Sequence, residues 1–121
     1  MKKLIVLLII ATSFIFISAN SVTSGNNHEI ATVDTDPGSS GFFTRQVNIV
    51  DQISFFVTGS GSMTVTLQFQ PPGITTWTDY ATYTTDTRVT IDDASKSVKW
   101  RAGVKETADY SSGSKSFGFD W

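Results

Sequence analysis

Residues 62–70 read SMTVTLQFQ. Met63, Val65, Leu67 and Phe69 alternate with Thr64, Thr66, Gln68 and Gln70. A period of two marks a half-buried strand, because successive side chains leave opposite faces of a sheet. The expectation is that the apolar set faces a core and the polar set faces water. Pro71, Pro72 and Gly73 follow. Proline has no N–H for the ladder, so the strand ends there.

The same alternation continues on both sides. Upstream, Phe43, Val47 and Ile49 share one parity, and Ile53, Phe55 and Val57 another. Downstream, Trp77, Ala81 and Tyr83 align, then Val89 and Ile91. Residues 97–105, SVKWRAGVK, set Val98, Trp100, Ala102 and Val104 against Lys99, Arg101 and Lys105. Residues 116–121, SFGFDW, align Phe117, Phe119 and Trp121 as a last inner face. No window carries a helical period. About seven strands at roughly ten-residue spacing, with turn residues between, predict an antiparallel β-sandwich, Ig-like or jelly-roll-like. Its structural core would contain Trp77, Tyr83, Trp100, Tyr110, Phe117, Phe119 and Trp121. Tyr110 falls in the last hairpin loop, where its hydroxyl could bond to backbone as a tyrosine corner does.

The chain has 121 residues, the length of one domain. Met1–Ala19 reads as a secretory signal peptide: Lys2 and Lys3, an apolar run from Leu4 to Ile17, then small Ala19. The run is shorter than the about 20 residues of a membrane span. A retained N-terminal anchor is the alternative, and membrane contact is expected only then. An exported protein follows: extracellular, periplasmic or on a virion surface. Removing residues 1–19 lowers the formal charge from −2 to about −4. A mildly acidic domain lacks the basic surface that drives nucleic-acid binding. Residues 20–41 read as a flexible linker and first strand. Within them lie the polar NSVTSGNNHEI, with the sole histidine, His28, and the turn-forming DTDPGSSG. Residues 42–121 form the predicted sandwich.

Reaction chemistry finds little to work with. There is no cysteine, and the single histidine falls in the expected linker, so a nucleophile–base pair has no components. The acids lie mostly in loops and strand ends, not paired across a cleft. Asp34 with Asp36, and Asp92 with Asp93, match no calcium loop. No catalytic residue, metal or cofactor is expected. An outer-membrane barrel needs more chain than remains, and outer faces of Thr, Gln and Lys make no lipid-facing band.

Binding is the remaining class. Lys99, Arg101 and Lys105 make a basic stripe on the outer face of one strand. It reads as a solvated face that discourages edge pairing, or as an anion or acidic-glycan contact. Tyr80 and Phe56 break parity with their neighbours. Both are expected on an outer face, where an exposed aromatic pair would mark a partner surface.

The stretch TVTLQFQ…TTWTDYATYT…TRVTIDD…WRAGVKETADYSSGS resembles small β-sandwich proteins encoded among the structural genes of tailed phages. Leu67, Gln68, Trp77, Tyr83 and Thr84 carry the likeness, with Trp100 to Lys105, Asp109, Tyr110, Ser112 and Gly113. It covers about residues 54–121. PPGIT replaces the acidic, glycine-rich hairpin of that family, and an export signal does not belong to its pattern. The resemblance implies a non-enzymatic virion-type structural or adhesive module, partnered by proteins or by itself. It brings no catalytic residue. The alternative is an exported binding module for a surface glycan or protein.

Overall fold

The computed structural model describes residues 20–48, 51–94 and 97–121. The predicted signal peptide and Ile49 lie outside them. The described residues form nine strands: β1 (Ser21–Ser24), β2 (His28–Val33), β3 (Phe42–Phe43), β4 (Asp51–Met63), β5 (Val65–Gln70), β6 (Thr78–Tyr83), β7 (Thr87–Ala94), β8 (Lys99–Val104) and β9 (Tyr110–Asp120). The one helical element among the described residues is a 3₁₀ turn at Thr107–Asp109. No helix there is long and apolar enough to cross a membrane.

The strands form two antiparallel sheets, ordered β1-β2-β9-β4-β7 and β3-β8-β5-β6. The pairing is nested: β5 with β6, β4 with β7, β3 with β8, β2 with β9. That is one long hairpin rolled up, the jelly-roll arrangement of two stacked sheets. It decides between the two expected sandwiches. Strand β1 is an addition at one edge.

The core lies between the sheets. Ile53, Phe55 and Val57 of β4 and Phe117 and Phe119 of β9 face Val65 and Leu67 of β5 and Trp100, Ala102 and Val104 of β8. Phe55 lies 5.5 Å from Phe119 within its sheet and 5.3 Å from Tyr83 across the gap. Aromatic pairs at such separations add to the burial of their area.

Four expectations need correction. Residues 20–41 hold two paired strands, β1 and β2, rather than a linker and one strand. Ala31 and Val33 enter the core, and His28 opens β2 opposite Asp120. Polar composition hid these strands because each offers few apolar positions. The seven strands expected in residues 42–121 are present as β3–β9. Trp121 lies beyond β9, anchored through its N–H to the Asn27 carbonyl, and is 40% exposed. Its parity placed it inside, but the sheet ends before it. Phe43 turns away from the core, and its neighbour Phe42 packs there instead. Finally, Thr66 and Gln68 are 1% and 5% exposed, so the polar face of β5 is covered, not bathed in water.

Tyr110 packs against the core, and its hydroxyl lies 3.0 Å from the Asp34 carbonyl and 3.1 Å from that of Gly113. This ties the 34–41 loop to the start of β9.

Two truncations at the same end should separate core from periphery. Phe119→Ala should cost about 3–5 kcal/mol in denaturant unfolding. Trp121→Ala should cost under about 1 kcal/mol, as surface changes do. Equal losses would contradict the burial described.

Candidate functional site

The covered face of β5 leads to the site. On the outside of the four-stranded sheet, the Arg101 guanidinium lies 3.9 Å from the Phe43 ring centroid and 4.4 Å from that of Trp77. Three separate parts of the chain supply this clamp. Arg101 comes from β8, Phe43 from β3, and Trp77 from the turn before β6. Gly103 makes room for it. It stands opposite Phe43 in the β3–β8 ladder, and a Cβ on Gly103 would strike the Phe43 ring. A glycine inside a strand pattern marks such close approaches.

A polar chain fixes the guanidinium in plane. Arg101 Nε donates to Gln68 Oε1 at 2.8 Å. Gln68 Nε2 donates to Asp79 Oδ1 at 2.7 Å, and Lys105 Nζ to Asp79 Oδ2 at 2.8 Å. Lys105 follows β8 and Asp79 sits on β6, so this last contact crosses β5 and covers Thr66. The exchange explains why Thr66 and Gln68 are buried on a face that alternation assigned to water.

These contacts shift the charges consistently. The Gln68 hydrogen bond, then that of Lys105, hold the Asp79 carboxyl below its ordinary value. The Asp79 hydrogen bond raises Lys105. Burial between the rings lowers Arg101, which still stays charged at any working pH. The Lys105–Asp79 pair itself is half-exposed and contributes little to stability. The stacked guanidinium is worth roughly 0.5–2 kcal/mol per ring, more as it is desolvated.

A β-bulge decides which aromatics belong here. Leu67 pairs with Ala81, but Gln68 pairs with Asp79, leaving Tyr80 as the extra residue. Parity therefore reverses across Tyr80. Ala81 and Tyr83 point inward, while Trp77 points out to Arg101. Trp77 is thus half-buried on the outer surface and not a core residue. Tyr80 is not on the outer face either. It stands at the inner rim against Trp100 and Phe69, with centroids 5.2 and 6.1 Å away, and is 55% exposed. Trp100 is 6% exposed, and its indole N–H has no acceptor among the described residues.

Phe56 is on an outer face, but that of the other sheet. Arg88 lies 5.3 Å from its ring and donates to Ser54 and Asp120. Tyr80 and Phe56 therefore form no pair. The stripe Lys99, Arg101 and Lys105 does lie on one face, half-exposed, with Lys105 taken by Asp79 and Arg101 by the clamp. Alternation missed Phe43, Trp77, Gln68 and Asp79 as site residues. The available signal was Gly103. Among the described residues no three His, Asp or Glu side chains gather as metal ligands. Asp36 instead accepts the Gly38 N–H at 2.8 Å.

No known family matches the sequence, and no curated protein matches it. Solved structures similar in outline include two of note. One is a carbohydrate-binding module of the CBM4 type, with TM-score 0.44 and 14% identity over 88% of this chain and 78% of that one. The other is the cumin domain of Drosophila melanogaster CENP-C, with TM-score 0.37 and 6% identity over 92% and 80%.

Gly103→Ala should expel the Phe43 ring and destabilise the fold by about 1–3 kcal/mol, read by denaturant unfolding. The lowered Asp79 sets a pH test. Its stabilisation is present above the unfolded-state value near about 3.9 and is lost as pH falls through the folded one. Asp79→Asn should therefore flatten the acid limb of melting temperature against pH and, by releasing Lys105, also soften the alkaline limb where Lys105 loses its proton. An unaltered acid limb would show that the polar chain does not form.

Proposed function

We propose that this chain is a non-enzymatic structural or adhesive module that works through protein–protein contact, with the outside of its four-stranded sheet as the recognition face. The carrying observation is the clamp of Arg101 between Phe43 and Trp77. Arginine and tryptophan dominate the energetic centres of protein interfaces, and side chains already held in place lose little freedom on binding. The jelly-roll supplies a rigid base for that face, because all four of its strands are backed by the core.

The sequence resemblance to virion-associated sandwich proteins of tailed phages supports the same role. The apolar N-terminal run supports a site of action outside the cytoplasm, in a virion or on a cell surface. A surface glycan is the second ligand class. The specific observation in its favour is Tyr80, an exposed aromatic ring at the sandwich rim.

The test is hydroxyl-radical footprinting of the full chain, free in solution and within the particles or envelopes that contain it. Trp77 and Phe43 should be protected in the assembly, while Trp121 oxidises in both. Equal oxidation of Trp77 in both samples would remove this face from any interface. Retention on a glycan array, lost on Tyr80→Ala and kept on Trp77→Ala, would establish the second reading.

A further inference from the structure

The clamp leaves part of Arg101 unused. Nε is spent on Gln68, and the two ring faces cover the guanidinium plane. The two terminal nitrogens hold no hydrogen bond among the described residues. A guanidinium fixed in plane with its fork free is preorganised for one chemical group, a carboxylate taken through two parallel hydrogen bonds. Lys99 stands two residues away on the same face of β8 and has no acceptor among the described residues. Lys105, the third cation of the stripe, is neutralised by Asp79.

We propose that this face receives an extended acidic protein segment, with one carboxylate on the Arg101 fork and the next but one on Lys99. Spacing supports it. Alternate residues of any extended chain lie roughly 7 Å apart, so acidic-x-acidic in a partner repeats the Lys99-x-Arg101 interval. Local charge supports it too: Lys99 and Arg101 stand on one face of β8 with no carboxylate partner among the described residues. The rings argue for peptide over sugar. A pyranose needs an open aromatic face, and the faces of Phe43 and Trp77 turned toward Arg101 are already filled. This inference rests on the protein-contact reading above and names the chemistry of the partner.

The experiment is titration calorimetry of the full chain with acetyl-(Thr-Glu)4-amide, acetyl-(Thr-Gln)4-amide and trigalacturonate at low ionic strength. The Glu peptide should bind, the Gln peptide should not, and added salt should weaken the complex. Arg101→Lys keeps the charge but loses the fork and should weaken binding about tenfold or more. Lys99→Gln, which leaves the clamp untouched, should weaken it several-fold, and it decides the matter if Arg101→Lys lowers the melting temperature. Arg88→Lys, on the other sheet, should change nothing. Equal binding of the two peptides, indifference to both β8 variants, or binding of trigalacturonate alone would overturn the proposal. If the peptides fail while Trp77 is still protected in assemblies, this inference falls and the protein-contact reading stands. Loss of both removes both.

Discussion

Strand β9 runs between β2 and β4, and the burial of its Phe117 and Phe119 is the contact on which the other layers depend. Both rings are fully buried, and Phe119 meets Phe55, which in turn meets Tyr83 of the facing sheet. One strand thus joins both edges of the five-stranded sheet and supplies the apolar surface that the four-stranded sheet covers. Large aromatic area concentrated on a central strand lets a small, cysteine-free chain hold two layers without cross-links.

The Arg101 clamp follows from that packing by two local irregularities. With β5 fixed against the core, a bulge at Tyr80 turns Trp77 outward. A glycine at 103 lets Phe43 come down on the outside of β8. Neither device stabilises the core. Both serve Arg101, whose charge is desolvated by the rings and held in plane by Gln68. Bulges commonly re-aim a side chain at a sheet edge, and here the edge strand is β6.

Much of the fold was legible because alternation reports directly on a face turned toward apolar partners. Val65, Leu67, Trp100, Ala102, Val104, Phe117 and Phe119 all stand where period two put them. The reading failed where polarity no longer tracks exposure. Ser21–Ser24 and His28–Val33 are strands of low apolar content held by ladder bonds to β9 and to each other. Gln68 is polar and buried because the arginine of β8 and the aspartate of β6 satisfy it. Trp77 lay on the wrong side because parity counting assumes an unbroken register, and one inserted residue reverses it. The cationic stripe was visible. The clamp was not, since it joins residues from two strands and a turn that only the tertiary fold brings together.

The nested ladder also orders events in time. Thr32 of β2 bonds to Ser116 of β9 across 84 positions, and β4 needs the same late strand on its other side. A nascent chain still attached to the ribosome before residue 116 cannot close the larger sheet. Pairings this distant form slowly. The larger sheet therefore stays open until Tyr110–Asp120 has emerged to bridge β2 and β4.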